Sequence, residues 1–511
     1  MKKKWILAVA LTFALLLTGC QGAEKKEEVP AGQQEPAEQT EENDEGPILI
    51  GQTWVVSNTD PTDSSVPWSM TSHGVSETVF MLDDKGILHS RFIDSFEKID
   101  ELTWKATTKN EAKFSNGDIV DAPALAECMN KIQQSNPLSN ATAGKVEFKA
   151  VDDRTLEIKT ERPLQRFDSF LTEWSNVVFK DLGEGNFAYT GPYVIDGLDK
   201  GISLSLRPNP EYPEAETRKD VKVMAFKDAS ALKLAFEAGE IDLAFTVTPE
   251  VAKMLRDGGK TVKTIEAGYQ YFGIFNLDSA LLKDPAVRKA INLGIDREEY
   301  IKALQGGRVA TGFFAGYYDF AGDIEIKRGM EEANALLDQA GYRMTDGVRE
   351  KDGKKLEIRL VTYPSRPDLS VIMQIMASQL KELGFEVKTE VVDGIDKVAS
   401  SGDFELILYA QHTAPTGDPS FALNQFFRTG EGKNHSKYSS EKMDSLLDKL
   451  GSEQDQAKRT ELAKEIQNLI FEDLPVLYLV DPQWNIAVSE RIEGYQPYNG
   501  DYYIVNDQLG K

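Results

Sequence analysis

Residue types that usually carry catalysis or hold metal ions are scarce in this sequence, which has two cysteines and four histidines among 511 residues. It contains no Gly-x-Ser-x-Gly element, no His-Glu-x-x-His element and no cysteine–histidine pair of a catalytic type. The carboxylates are numerous but scattered, and they form no recognisable catalytic dyad. The sequence therefore does not favour a hydrolase, and we expect neither enzyme activity nor a cofactor of its own.

Long apolar runs are equally rare, and the one present extends from Trp5 to Leu17. A membrane-spanning helix needs about 20 apolar residues, so this run is too short to span comfortably. Three lysines precede it and Leu-Thr-Gly-Cys closes it, which is the order of a secretory signal. The closing residues resemble the lipobox of bacterial lipoproteins. That resemblance implies a signal peptide over 1–19, acylation of Cys20, and a protein anchored by lipid at the extracytoplasmic face of the cell membrane.

Acylation of Cys20 would leave Cys128 without a partner, so the mature protein is expected to contain no internal disulfide. Cys128 lies in a helical pattern and is predicted to be a small buried residue. Basic residues are a minority, since 58 Lys and Arg against 83 Asp and Glu give a formal net charge of −25. Nucleic acid would repel such a chain, so we expect no nucleic-acid partner.

Aromatic residues are absent from 21–47, a segment with nine acidic and two basic side chains. Nothing in it can be buried, so residues 20–47 are predicted to form a disordered acidic tether behind the lipidated cysteine. The remaining length exceeds what one hydrophobic core usually supports, which indicates two or more domains.

From Ile48 onward, strand and helix patterns alternate without a repeat of fixed period. A strand over 356–363, an amphipathic helix over 369–383 ended by Gly384, and a strand over 385–392 form the clearest unit. This order favours a right-handed crossover, a parallel or mixed sheet and an α/β fold. Further patterns predict strands over 48–56, 104–109, 156–159, 202–206 and 404–409, helices over 229–237 and 284–293 with Gly239 and Gly294 as stops, and a tail from Trp484 that returns to the first domain.

Several segments resemble, in order, those of the peptide/nickel class of extracellular solute-binding proteins, which serve ABC importers. The matching segments are 113–122 (KFSNGDIVDA), 190–194 (TGPYV) with 206–212 (LRPNPEY), 228–242 (DASALKLAFEAGEID), and 275–276 (FN) with 284–298 (DPAVRKAINLGIDRE). The physical role of most of these residues is to build turns and one apolar helix face, so they identify the fold rather than the ligand.

The resemblance implies a two-lobe fold of the periplasmic-binding-protein type (class II), with mixed sheets, a hinge and a ligand-binding cleft. The lobes would close around a ligand that makes contacts only in the closed state. The expected division is 48–270 plus 481–511 for lobe I and 271–480 for lobe II. The implied partners are the membrane subunits of an ABC permease, and the protein is expected to act as a monomer.

Two loops are the main candidates for ligand contact. The first follows the strand over 404–409 and contains His412 and Thr416, and the second, 430–439, contains Asn434 and His435. Ligands favour the carboxyl ends of strands in α/β folds, and the resemblance implies that both loops face the cleft. It also places His435 where some nickel-binding members have a coordinating histidine.

Other candidates lie in the N-terminal half of the chain and just before the loop over 430–439. The resemblance implies that the loop with His73 lines the cleft. This sequence differs from the nickel-binding members at residues 170–179, where those members often have an arginine and this chain has none. A clamp for a ligand carboxylate would then come from elsewhere, such as Arg428, while Trp174 offers an aromatic wall. The plain alternatives are surface exposure for each histidine and core packing for Trp174.

The favoured ligand is a nickel or other transition-metal chelate, such as a metal–histidine or metallophore complex. Imidazole is a favoured nitrogen ligand for Ni²⁺, so His435 and His412 are the candidate metal ligands, and Ni²⁺ would enter only as part of the solute. The first alternative is a short peptide, whose amine would meet an acidic side chain. A peptide sensor on the same fold is a further alternative.

Overall fold

The computed structural model describes residues 46–63, 65–83, 87–135 and 140–509. The predicted signal peptide, Cys20 and residues 20–45 of the predicted tether lie outside the described residues. Within the described ranges, no helix combines the length and the apolar character needed to cross a membrane. Cys128 is buried, and it is a free cysteine.

The described residues form strands of two to seven residues. In chain order these are β1 (Ile48–Gln52), β2 (Met81–Leu82), β3 (Leu88–His89), β4 (Ile93–Lys98), β5 (Thr103–Thr108), β6 (Val146–Ala150), β7 (Thr155–Thr160), β8 (Phe179–Gly183), β9 (Asn186–Tyr189), β10 (Tyr193–Asp199), β11 (Ser203–Pro208), β12 (Val221–Ala225), β13 (Leu243–Val247), β14 (Thr261–Glu266), β15 (Tyr269–Phe275), β16 (Arg308–Val309), β17 (Arg343–Thr345), β18 (Val348–Lys351), β19 (Lys354–Lys355), β20 (Glu357–Thr362), β21 (Glu386–Val391), β22 (Leu406–His412), β23 (Val476–Asp481) and β24 (Gln483–Val488).

The α-helices are distributed along the whole described chain. They are α1 (Val66–Ser72), α2 (Ala122–Ser135), α3 (Phe167–Phe170), α4 (Ala229–Glu237), α5 (Pro249–Asp257), α6 (Pro285–Gly294), α7 (Arg297–Leu304), α8 (Met330–Gln339), α9 (Pro367–Glu382), α10 (Ile395–Ser401), α11 (Ser420–Phe427), α12 (Glu441–Ser452) and α13 (Gln456–Asp473). Short 3-10 helices occur at Trp174–Asn176, Ala215–Thr217 and Glu490–Ile492.

Two mixed sheets organise the molecule, and the α/β fold class is confirmed. The first sheet has the order β10-β11-β12-β1-β13-β24-β14. Its central strand β1 runs parallel to β12 and β13, whereas β24 pairs antiparallel with β13 and β14. The tail therefore returns to the sheet that contains the first strand, as predicted.

The second sheet has the order β16-β23-β15-β22-β20-β21. Strands β20 and β21 are parallel and are connected through α9, which confirms the predicted strand–helix–strand unit. Every residue of β15, β22 and β23 is buried, because these neighbouring strands are covered on both faces. The first sheet uses strands before residue 267 and after 482, and the second uses strands between 269 and 481. The division into lobes over 48–270 plus 481–511 and over 271–480 stays a prediction.

Local sequence explains most of the helix ends. Asp228 accepts hydrogen bonds from the backbone of Ser230 and Ala231 at the start of α4, and the positive φ of Gly239 follows its end. Helix α6 ends at Gly294 as predicted, and Gly294 itself is the last helical residue. A Cβ atom at Gly294 would lie 2.1 Å from a methyl carbon of Leu383, so this glycine allows α6 to approach the end of α9.

Candidate functional site

A cavity of about 700 Å³ lies between segments of the two sheets. Its size is in the usual range for small-molecule sites, and its wall combines aromatic rings with a few charged groups. The lining residues include Trp54, Trp68, Trp174, Tyr269, Tyr363, Arg366, Asp393, Asp396, Tyr409, Gln411, Lys433, His435 and Tyr502. They come from segments beside β1 and β20, from the 3-10 helix at Trp174–Asn176, from the region around α10, from the end of β22, from the loop after α11 and from the C-terminal segment.

Aromatic side chains form much of this wall. Trp54 and Trp68 pack with their ring centroids 4.3 Å apart. Tyr269, the first residue of β15, packs against Trp484 at 4.7 Å between centroids. Such rings offer flat apolar surfaces on which planar groups of a ligand can stack.

Asp501 accepts hydrogen bonds from three of the lining side chains. Trp68 donates through Nε1 at 3.1 Å, Tyr269 donates through its hydroxyl, and Arg366 donates through Nη2 to form a buried ion pair. The guanidinium of Arg366 also lies 5.1 Å from the ring centroid of Tyr269 and 5.1 Å from that of Trp484. Asp501 is completely buried. The carboxylate therefore fixes polar groups of the cavity wall and neutralises the Arg366 charge.

Lys433 supplies a second cation to the wall. Its Nζ donates to Oε1 of Gln411 at 3.1 Å. The same ammonium lies 5.5 Å from the ring centroid of Trp174 and 5.7 Å from that of Phe426. Two carboxylates, Asp393 and Asp396, also line the cavity, and the charge of Asp396 favours the charged form of Lys433.

Glu173, the residue before Trp174, is a completely buried carboxyl group. Burial raises its pKa to about 7, although Ser175 donates to it from both its backbone and its hydroxyl. The positive charge of Lys433 acts in the opposite direction on this pKa.

His435 is the histidine that lines the cavity, as the resemblance led us to expect for its loop. Burial, together with the neighbouring positive charges of Lys433 and Lys437, lowers its pKa to about 4. The imidazole is consequently neutral near pH 7. Its Nδ1 atom is buried and has no hydrogen-bond partner among the described residues.

His412 occupies a different position from the one predicted. It is the last residue of β22 rather than part of a loop, because it pairs with Tyr269 in β15. It is buried, and its ring packs 5.5 Å from that of Tyr269 and 5.3 Å from that of Tyr502. Burial lowers its pKa to about 4. His412 thus lies behind two lining tyrosines and is not among the described residues that line the cavity.

His73 lies behind the wall in a similar way. Its Nε2 is 3.0 Å from Nε2 of Gln52, and its ring centroid is 5.0 Å from that of Trp54, which does line the cavity. Burial lowers its pKa to about 3. The structure therefore gives His73 a supporting position beneath Trp54.

Three further candidates use their polar groups within the protein. Arg428 donates to Asn424 at 2.7 Å and to Asp448 at 2.8 Å. The Asn434 side chain donates to the backbone of Arg428 and of Tyr438 and thereby holds its own loop. Thr416 exchanges hydrogen bonds with Asp418, and its carbonyl accepts from Ser169. Of the seven candidates, the structure places Trp174 and His435 on the cavity wall, and ligand contact by the others stays a prediction.

Arg366, Lys433 and Asp501 were not singled out from the sequence. Arg366 follows a predicted strand and precedes Pro367 at the start of α9, a position at a strand's carboxyl end that could have drawn attention. Lys433 lies two residues before His435 in a loop that was already a candidate. Nothing local marks Asp501, whose partners Arg366, Tyr269 and Trp68 precede it by 135, 232 and 433 residues.

The described part of the chain contains no group of three or more His, Cys, Asp or Glu side chains arranged to hold a metal ion.

Comparisons with known proteins agree with the architecture. Residues 88–434 match the family model described as "Bacterial extracellular solute-binding proteins, family 5 Middle". The nickel-binding protein NikA of Staphylococcus aureus is 23% identical over 463 residues, which cover 87% of this chain and 90% of that protein. The solved structure of S. aureus NikA in complex with Ni(L-His)₂ superposes with a TM-score of 0.81 at 21% identity, covering 89% of this chain and 98% of the other. The oligopeptide-binding protein AppA of Bacillus subtilis, solved with a nonapeptide, superposes with a TM-score of 0.77 at 21% identity, covering 89% and 97%.

Proposed function

Since the chain belongs to the family 5 bacterial extracellular solute-binding proteins, we propose that its cavity captures a nickel or other transition-metal chelate for delivery to an ABC permease. Proteins of this family are extracytoplasmic substrate-binding components of transporters and not enzymes. Membership of the family does not specify the solute. We propose that it is a complex of nickel with histidine or with a metallophore.

The observation that carries this proposal is the state of His435. A neutral imidazole on the cavity wall, with Nδ1 free of any hydrogen bond among the described residues, has the chemistry of a ligand for Ni²⁺. Because the described residues contain no cluster of three metal-binding side chains, the protein would add this one ligand to a metal that arrives already chelated. The tryptophan and tyrosine rings would stack on the chelator.

A short peptide is the second candidate. Asp393 and Asp396 on the wall could receive its amine, and the volume of about 700 Å³ accommodates a few residues. An α-amine that coordinates a metal is uncharged, whereas the free amine of a peptide is a cation that needs a carboxylate. The acidic pair is therefore the feature that favours peptides.

Calorimetry separates the two candidates. The protein is unfolded and refolded to remove trapped solute and is then titrated with Ni²⁺ plus L-histidine, with either component alone, and with mixed tri- to pentapeptides. We expect heat from the nickel–histidine mixture and none from peptides. Heat from peptides alone would reject the metal-chelate proposal. Native mass spectrometry of the protein as purified would identify a retained solute directly.

The lipid anchor is part of the same proposal. Acylation at Cys20 would hold a monomeric protein beside the permease, with residues 20–47 as a tether. Replacement of Cys20 by alanine should release the protein from the membrane fraction, and a variant that still sediments with membranes would contradict the anchor.

A further inference from the structure

Two cations line the cavity, and their surroundings differ. Arg366 is paired with the buried carboxylate of Asp501, so its charge is already compensated. Lys433 is half-buried, and its ammonium donates no hydrogen bond to a carboxylate among the contacts of the described residues, although Asp396 and Glu173 favour its charged form from a distance. Its contacts are the neutral amide of Gln411 and the rings of Trp174 and Phe426.

A partly buried ammonium group without a directly bonded carboxylate is less stable than a paired one unless other contacts compensate it. Gln411 and the two rings stabilise the charge in part, since a carbonyl oxygen accepts one of its hydrogens and aromatic faces attract cations. An ammonium has three hydrogens to donate, and the side chain of Gln411 accepts one of them. Because Lys433 lines the cavity, its other N–H groups can donate to a ligand there.

We propose that Lys433 receives a carboxylate of the bound solute and is the residue that selects carboxylate-bearing ligands. The proposal rests on the proposed function only in taking this cavity as the solute site, and it holds for a chelate or a peptide. It reassigns the expected carboxylate receptor from an arginine to a lysine. Arg366 has a carboxylate from the protein itself, while Arg428 is bonded to Asn424 and Asp448 outside the cavity.

The position of Lys433 also connects ligand binding to closure. Lys433 follows β22 of the second sheet, whereas Trp174 belongs to the segment before the first sheet's β10. The cation–ring contact therefore joins two parts of the chain that the predicted hinge would separate. A solute carboxylate on Lys433 would be enclosed by Trp174 once the cleft is shut.

The test compares ligand pairs that differ in one group. Nickel with L-histidine is titrated against nickel with L-histidinamide, and a tripeptide against its C-terminal amide, into wild type and Lys433→Met. A hydrogen bond to a charged group is worth enough to expect a loss of about 10- to 100-fold in affinity when either partner is removed. Wild type should therefore prefer the carboxylate by this factor, and Lys433→Met should bind both forms with the same weak affinity.

Lys437→Met is the matched control, because Lys437 is an exposed lysine of the same loop. It should keep the wild-type preference. Lys433→Arg keeps the charge and should also keep a preference for the carboxylate, which guards against a folding defect in the methionine variant. If Lys433→Met binds the carboxylate form as tightly as wild type, the inference is wrong while the proposed function stands. Wild type that binds neither solute class would contradict the proposed function itself.

Discussion

Arg366 and Asp501 form a buried ion pair between the loop before α9 and the C-terminal segment, 135 residues apart in the sequence. Trp68 and Tyr269 donate to the same carboxylate. The burial of the pair makes Arg366 part of the architecture of the site rather than a free charge. Asp501 thus joins the parts of the chain that carry the two sheets.

Removing one partner of this pair should be costly. We expect Asp501→Asn to lower the free energy of unfolding by about 3–5 kcal/mol, because it leaves the buried guanidinium without its counter-charge. Asp448→Asn is the control, since Asp448 pairs with Arg428 but its side chain is 65% exposed, and it should cost less than about 1 kcal/mol. Urea unfolding measures both, and equal effects would contradict the structural role given to Asp501.

The two histidines near the cavity should differ in their effect on metal binding. His435→Ala removes the imidazole on the wall and should weaken binding of the nickel–histidine complex at least about 10-fold, since a direct metal ligand is lost. His412→Ala should have the smaller effect, because Tyr269 and Tyr502 lie between it and the cavity. Isothermal titration of both variants checks this order, and a larger loss at His412 would reverse the assignment.

Gly191 should tolerate no side chain. A Cβ atom there would lie 2.4 Å from the carbonyl oxygen of Gly74 and 2.5 Å from a backbone carbon of Val75, and backbone cannot move aside cheaply. We expect Gly191→Ala to destabilise the protein by about 3 kcal/mol. Gly494→Ala, with open space around its Cβ position, should change stability by less than about 0.5 kcal/mol. Thermal unfolding of the two variants tests the difference.

Asp368 should give the stability a measurable pH dependence. Burial raises its pKa from 3.8 to about 6, although Tyr271 donates to it at 3.0 Å. Between about pH 4 and pH 6 the folded protein therefore keeps a proton that the unfolded chain releases, so this group makes the folded state less stable as the pH rises through that window.

Asp368→Asn removes this contribution. The difference in free energy of unfolding between the variant and wild type should therefore shift by about 1–3 kcal/mol in favour of the variant as the pH is raised from 4 to 7. Urea titrations at the two pH values measure the change, and a constant difference between variant and wild type would show that Asp368 does not titrate in this range.

Patterns within short segments predicted much of the fold. The unit β20–α9–β21 was predicted because its apolar spacing changes from alternating to helical and back, with Gly384 in the left-handed region after the helix. Gly191 lies in the segment 190–194, one of the segments whose residues were expected mainly to build turns. Gly191 does not have a positive φ, and the close backbone of Gly74 and Val75 is what requires a glycine there.

The candidate site was predicted less completely. His435 stood out because histidine is rare and its loop resembles a known one. His412 was assigned to a loop because turn residues follow it closely, whereas pairing with Tyr269 extends β22 through it. The Asp501 cluster is invisible in the sequence, since its members meet only after the sheets have formed.

The cavity wall begins with Thr53 and ends with Tyr502. A chain that stopped at Val488 would retain every strand of both sheets but would lack both Asp501 and Tyr502. Synthesis proceeds from the N-terminus, so this wall of the site is made only after every strand of both sheets. Cleavage after Val488 would therefore leave the strands of both sheets in the chain while removing the carboxylate that holds Trp68, Tyr269 and Arg366 at the cavity wall.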